Sequence, residues 1–211
     1  MGARVDMLGL VAVAREMLAR PDRQVLAISG APGSGKSTLV DALAQVIEAE
    51  SPGACAILPM DGFHYDDAVL HARGRRPWKG APDTFDVGGL RSTLGRLRAP
   101  AEGAVAVPVF DRDLEISRGS ARIIEPTAKL ILAEGNYLLL QDDPWATLHP
   151  LFDRTVMIEV AEDELRRRLR GRWVGYGLTE AEIDHKLDGN DIPNGHTVRD
   201  RSIAADLIFV P

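Results

Sequence analysis

The chain has 211 residues, a net charge of −6, and 45% hydrophobic and 27% charged residues. That size suits a single α/β domain, residues 1–211, with a small lid, and the composition is that of a globular protein rather than a fibrous or disordered one. The acidic balance argues against nucleic acid as a partner, and no apolar run is long enough to cross a membrane. The lone cysteine, Cys55, allows no intrachain disulfide, which suits a cytoplasmic protein.

In chain order, residues 5–20 read as an amphipathic helix ended by Pro21. The apolar run Gln24–Ser29 predicts a strand, and Thr38–Ile47 carries apolar residues at helical spacing. A second strand over Ala54–Leu58 runs into Asp61, and the segment to Phe85 is a long loop rich in Gly, Pro, Arg and aromatics, with one short helix near 67–73. A loop of that length is a candidate substrate-binding segment. Asp86 reads as the N-cap of a helix carrying Leu90, Leu94 and Leu97. Val105–Val109 and Leu130–Ala133 read as buried strands, with a hairpin or strand-like excursion over 110–124 between them. Thr155–Val160 is a further strand. An arginine-rich helix starts near Ala161, and Thr179 with Glu182 predicts a capping box for the next helix. Leu207–Val210 closes the sheet. The alternation predicts a three-layer α/β/α fold with a mainly parallel, five-stranded sheet and a helical lid over about 161–178.

Residues Gly30, Ala31, Pro32, Gly33, Ser34, Gly35, Lys36 and Ser37, followed by Thr38, complete the pattern G-x-x-x-x-G-K-[ST] between a strand and a helix. In that setting the backbone N–H groups cradle phosphates at a helix N-terminus. Lys36 reaches the β- and γ-phosphates and Ser37 ligates Mg²⁺. A bound nucleoside triphosphate is the expectation. The N-K-x-D string of guanine specificity and an L-S-G-G-Q signature are both absent. Asp61 and Glu134 each follow a strand, at the sheet edge where open α/β sheets bind ligands. Phosphoryl transfer needs one carboxylate to take the acceptor proton and one to hold Mg²⁺ or its water. Asp61 is expected to be the base, because the aromatic and basic segment after it reads as a substrate cradle, and Glu134, with Ser37, the metal-side group. The apolar run Ala56–Met60 ending in Asp61 leaves Asp61 open as the metal carboxylate. A helix-capping role is the structural alternative for either acid.

Asp61-Gly62-Phe63-His64, Lys79–Asp86 and Glu134-Gly135-Asn136 together resemble the P-loop kinases of small metabolites that include uridine kinase, phosphoribulokinase and bacterial pantothenate kinase. With Pro108–Arg112 and Glu134–Leu140, the set is most similar to a bacterial subgroup named as fructose-transport-system kinases or nucleoside/nucleotide kinase family proteins. The resemblance implies ATP with Mg²⁺, Asp61 as catalytic base, and Lys36 with lid arginines Arg168 and Arg172 on the transferring phosphoryl group. It does not fix which of the five arginines from Arg166 to Arg172 points inward. His64, Arg76, Lys79, Glu134 and Asn194 are candidates to bind the acceptor, the cations if it is anionic. Arg112 is a further candidate to bind the acceptor, and Phe110-Asp111-Arg112 resembles the D-R motif of deoxynucleoside and thymidylate kinases. Asn190 and Asp191 are candidates, with Asn194, to line the site beneath the lid, with helix capping as the structural alternative. Trp78, Trp145 and Trp173 read as packing residues. The expected reaction is ATP-dependent transfer to a hydroxyl of a sugar, nucleoside or pantothenate-like alcohol, with a homodimer as a further expectation. The alternatives are a regulatory nucleotide-binding ATPase tied to a sugar transport system and a nucleotide-gated assembly ATPase.

Overall fold

A computed structural model describes residues 2–99 and 102–211. Its centre is β2 (Gln24–Gly30), buried from Val25 onward, as a strand covered on both faces must be. Parallel neighbours are β6 (Leu130–Gly135) on one side and β7 (Arg154–Ile158) on the other. Beyond β6 lies β3 (Cys55–Pro59); beyond β7 lie β8 (Leu207–Phe209) and β1 (Ala3–Val5). The sheet therefore has six parallel strands, in the order β1-β8-β7-β2-β6-β3, where the sequence predicted five.

Two sequence expectations are met with local differences. The predicted helix over 5–20 begins only at α1 (Met7–Leu18), because Asp6 caps it by accepting from Gly9 N, and the preceding Ala3–Val5 pairs with β8. Three residues carry too little alternation to announce an edge strand. Val105–Val109 is apolar enough for a core strand but does not join the sheet. It belongs to β4 (Val105–Asp111), which among the described residues pairs antiparallel with β5 (Ile116–Ile124) alone. The register shifts between Val107 and Val109, around Pro108, which has no N–H to give the ladder.

Side-chain alternation along β2 divides the core. Leu26 and Ile28 face α1 and α2 (Lys36–Glu50), meeting Leu10, Val40 and Leu43. Val25 and Ala27 face the other layer, where α4 (Val87–Arg98) supplies Leu90, Leu94 and Leu97, and the hairpin supplies Val105 and Val107. Asp86 caps α4 as expected, accepting from Gly89 N. Burial of such aliphatic side chains contributes about 1.5–3 kcal/mol each, which is what holds the three layers together. At the carboxyl end of the sheet, α5 (Glu162–Gly175), α6 (Glu180–Lys186), a π-helical turn (Leu187–Asp191) and α7 (Ile192–Arg201) share an apolar cluster of their own, with Leu169, Ile183, Leu187 and Ile192 at its centre. The predicted Thr179–Glu182 capping box is present at α6. Among the described residues no helix is long and apolar enough to cross a membrane.

Candidate active site

β2 ends at Gly30 and α2 begins at Lys36. Between them Gly33 and Gly35 hold φ of 79° and 92°, which an L side chain rarely adopts. At Gly33 a Cβ would also stand 2.9 Å from Leu169 of α5. Gly30 and Ala31 turn their carbonyls inward, and each accepts from Lys36 Nζ at 3.0 Å. Burial pulls the Lys36 pKa down to about 8, against the opposing pull of Glu134 and Asp61. Ser37 Oγ donates to Glu134 Oε2 at 3.2 Å. The Ser34 hydroxyl is buried without a hydrogen-bond partner. Pro32, Gly33, Gly35, Lys36, Ser37 and Thr38 form one wall of a cleft of about 1320 Å³.

A Ser hydroxyl against a carboxylate is a hard-oxygen pair that suits Mg²⁺, so Ser37 and Glu134 are the residues that would hold the cation. Among the described residues no group of three His, Cys, Asp or Glu side chains could hold a metal by itself. Phosphate and water oxygens would have to complete such a site.

The two acids enter the cleft together. In the sheet register Glu134 of β6 lies between Ile28 of β2 and Pro59 of β3, and Asp61 follows Pro59 in a tight helical turn over Met60–Phe63. Their environments drive them apart. Burial and the charge of Asp61 raise the Glu134 pKa. Burial would raise Asp61 as well, but positive charge around it, from His64 whenever its ring is protonated and from Arg112 and Lys36, outweighs it and holds its carboxyl below the usual range. Asp61 is therefore the settled anion of the pair. Its Oδ2 accepts from Arg112 Nη2 at 2.7 Å.

Arg112 reaches that carboxylate because the hairpin docks on the turn that carries it. Ser117 Oγ donates to Gly62 O, and a Cβ on Gly62 would collide with Pro108 O. Only glycine permits the approach. His64 lies between Phe85 and Phe110, with ring centroids at 4.0 and 4.7 Å. Its Nδ1 is 2.8 Å from Asp61 O. A carbonyl only accepts, so Nδ1 carries the proton of the neutral ring and Nε2 keeps a lone pair. Burial lowers the His64 pKa despite Asp61, which favours that neutral form.

Arg76 and Lys79 line the cleft but are not spare cations. Both bind Asp67 of α3 (Asp67–Ala72), at 2.7 Å each, and Lys79 also donates to Glu115 O at 2.5 Å. Burial would raise the Asp67 carboxyl, but these two partners pull it below its ordinary range. Asp67→Asn should cost about 1–3 kcal/mol of stability by leaving buried Lys79 underpaired, read as a lowered Tm. With the folded pKa depressed, this contribution is present at neutral pH and is lost as pH falls through that pKa, so the wild-type and substituted proteins should converge in acid.

The rest of the acceptor side was only partly foreseen. Asn194 lines the cleft and donates to Asn190 Oδ1 at 3.0 Å, while Asn190 donates to Lys79 O at 3.3 Å. Asp191, in the π turn, accepts from Trp173 Nε1 at 2.7 Å. Trp145 is a packing residue as predicted, buried against Phe85 and Tyr137. Trp78 is not: it is 44% exposed at the cleft under the Arg75 guanidinium. Tyr137 was unassigned in the sequence; it is fully buried and donates to Gly80 O at 2.6 Å, tying β6 to the acceptor loop. Its place directly after Glu134-Gly135-Asn136 was the available signal.

Among the arginines of α5, four are committed. Arg166 binds Glu162 and Asp188; Arg167 and Arg168 share Glu164; Arg170 binds Glu180 and Asp184. Arg168 also donates to Ser34 O at 3.3 Å, beside the glycine loop and outside the cleft lining. Arg172 has no carboxylate partner among the described residues, lines the cleft, and adds its charge to those lowering the Lys36 pKa.

Residues 12–54 match the family model described as the P-loop containing region of AAA domain. The chain is 39% identical over 189 residues to the uncharacterized protein YggC of Escherichia coli K12, covering 88% of this chain and 77% of the relative. It is 31% identical over 201 residues to a Schizosaccharomyces pombe protein named "Putative uridine kinase C227.14", covering 92% of this chain and 86% of the relative. The crystal structure of a "putative fructose transport system kinase" from Silicibacter sp. TM1040 superposes with a TM-score of 0.88 at 36% identity, over 96% of this chain and 98% of that one. Strand, glycine loop, paired acids and near full-length relatives agree, and the chain belongs to the P-loop kinase group that takes in uridine kinases, bacterial pantothenate kinases, phosphoribulokinases and the fructose-transport-system kinases.

Proposed function

We propose that the protein transfers the γ-phosphoryl group of ATP to a hydroxyl of a small metabolite. The observation that carries this reading is the meeting, in one cleft, of a settled Asp61 anion with Lys36, Ser37 and Glu134 of the phosphate-loop side. An NTPase that only hydrolyses needs no second, aromatic-walled half to its site, and this cleft has one in His64, Trp78 and Phe110.

The acceptor hydroxyl gives its proton to Asp61 as its oxygen bonds to the γ-phosphorus. The bond from that phosphorus to the β–γ bridging oxygen breaks, and the electron pair leaves with ADP. Lys36 exchanges the carbonyls of Gly30 and Ala31 for phosphate oxygens, and Arg172 is placed to meet charge that develops on the transferring group. Ser37 and Glu134 are the residues that would hold Mg²⁺, which would supply charge neutralisation to the phosphates. Trp173 of α5, Leu178 of the link that follows it and Ala181 of α6 wall the cleft, and so limit water around the reacting atoms.

An acceptor panel of sugars, nucleosides and alcohol-bearing acids tests the reading. One compound should raise ADP release at least about tenfold and appear as its phosphate ester by mass spectrometry. ATP turnover indifferent to every compound, with no ester formed, would sink the proposal in favour of a regulatory ATPase.

A further inference from the structure

The proposed reaction needs Asp61 as a proton acceptor, yet a guanidinium on one oxygen lowers the basicity of a whole carboxylate, and Asp61 Oδ2, one of its two oxygens, already accepts from Arg112 Nη2. That is the only hydrogen bond the Arg112 guanidinium makes among the described residues, and its side chain is 48% exposed at the cleft. A guanidinium carries five N–H donors, so most of this fork stays open toward the acceptor side. Of the other cations lining the cleft, Arg76 and Lys79 share Asp67, and Arg172 and Lys186 stand on the side of α5 and α6. His64 in its neutral form offers Nε2 as an acceptor only, and Phe110 lies beneath the arginine with its ring centroid 5.9 Å away. A fork held at one corner by one carboxylate oxygen is an exchange point. A second anion that meets its open edge competes for the same charge with bidentate geometry.

We infer that Arg112 reads the acceptor: its guanidinium masks Asp61, and a carboxylate or phosphate carried by the incoming alcohol draws it off the base. This rests on the kinase reading above. Acceptors of the class are hydroxy acids and phosphorylated polyols. Neutral polyols and water carry no anion to lift the mask, so the same contact restrains loss of ATP to hydrolysis.

Matched acceptor pairs test the idea: glycerate against glycerol, and ribose 5-phosphate against ribose, with wild type, Arg112→Gln and Arg112→Lys. In wild type the anionic member of a productive pair should exceed its neutral partner in kcat/KM by at least about 30-fold, the worth of one charged hydrogen-bonded contact. Arg112→Gln should shrink that ratio below about threefold and raise acceptor-free ATP hydrolysis by about threefold or more, with Arg112→Lys between. Transfer to neutral acceptors that equals or exceeds the anionic partners, or a ratio untouched in Arg112→Gln, overturns the inference while leaving a kinase. If no member of either pair is phosphorylated, the hydrolysis arm decides, and a rate in Arg112→Gln equal to or below wild type overturns the mask.

Discussion

Asp61→Asn is expected to lower acceptor-dependent phosphoryl transfer by about 10²–10⁴-fold, the range over which a positioned general base acts. The exchange keeps the size of the side chain and removes the negative charge. The carboxamide oxygen could still accept one hydrogen bond from Arg112, so the hairpin should stay docked through Ser117 and Gly62. Nucleotide affinity should change little, because Lys36 and Ser37 belong to the glycine loop. The comparison that matters is kcat against the Kd for ADP. A fall in kcat with an unchanged Kd assigns proton transfer to Asp61, whereas equal transfer by the substituted protein would remove it from the chemistry.

Arg172→Gln should be the second large loss, about 10²–10⁴-fold in kcat, because a cation that meets charge developing on the phosphoryl group acts mainly in the transition state. The neighbouring arginines set the control. Arg167 is 72% exposed and paired with Glu164, so Arg167→Gln should leave kcat within about twofold. Similar effects of the two substitutions would mean that α5 contributes a diffuse field rather than one directed guanidinium. The argument for Arg172 is one of elimination by geometry: its neighbours on α5 already have carboxylates, and Arg172 lines the same cleft as Lys36.

The donor half of the site was legible because it is local. Phosphate-loop glycines, Lys36 and Ser37 are contiguous, and the strand and helix that flank them are strongly patterned. Asp61 and Glu134 were legible from strand ends, since a parallel sheet gathers those ends on one side. The acceptor half depends on contacts far apart in sequence. Nothing near Arg76 or Lys79 reveals that both would be taken by Asp67, and nothing near Arg112 places it on Asp61, 51 positions away. Exposure was equally hidden: Trp78 and Trp145 look alike in composition, but one opens on the cleft and the other fills the core. The strand over 105–109 was legible but its partner was not, because apolar alternation reports burial of one face and says nothing of which sheet the strand joins.

The separateness of that hairpin has an evolutionary meaning. Among the described residues β4 and β5 pair only with each other, so residues around their turn at 112–115 can be inserted, deleted or exchanged without shifting the register of any strand that carries the glycine loop or Glu134. Loop tips outside a sheet tolerate length change far better than its strands do. Selection for a new acceptor can therefore work on this tip, and on Arg112 in particular, while the nucleotide machinery is inherited intact.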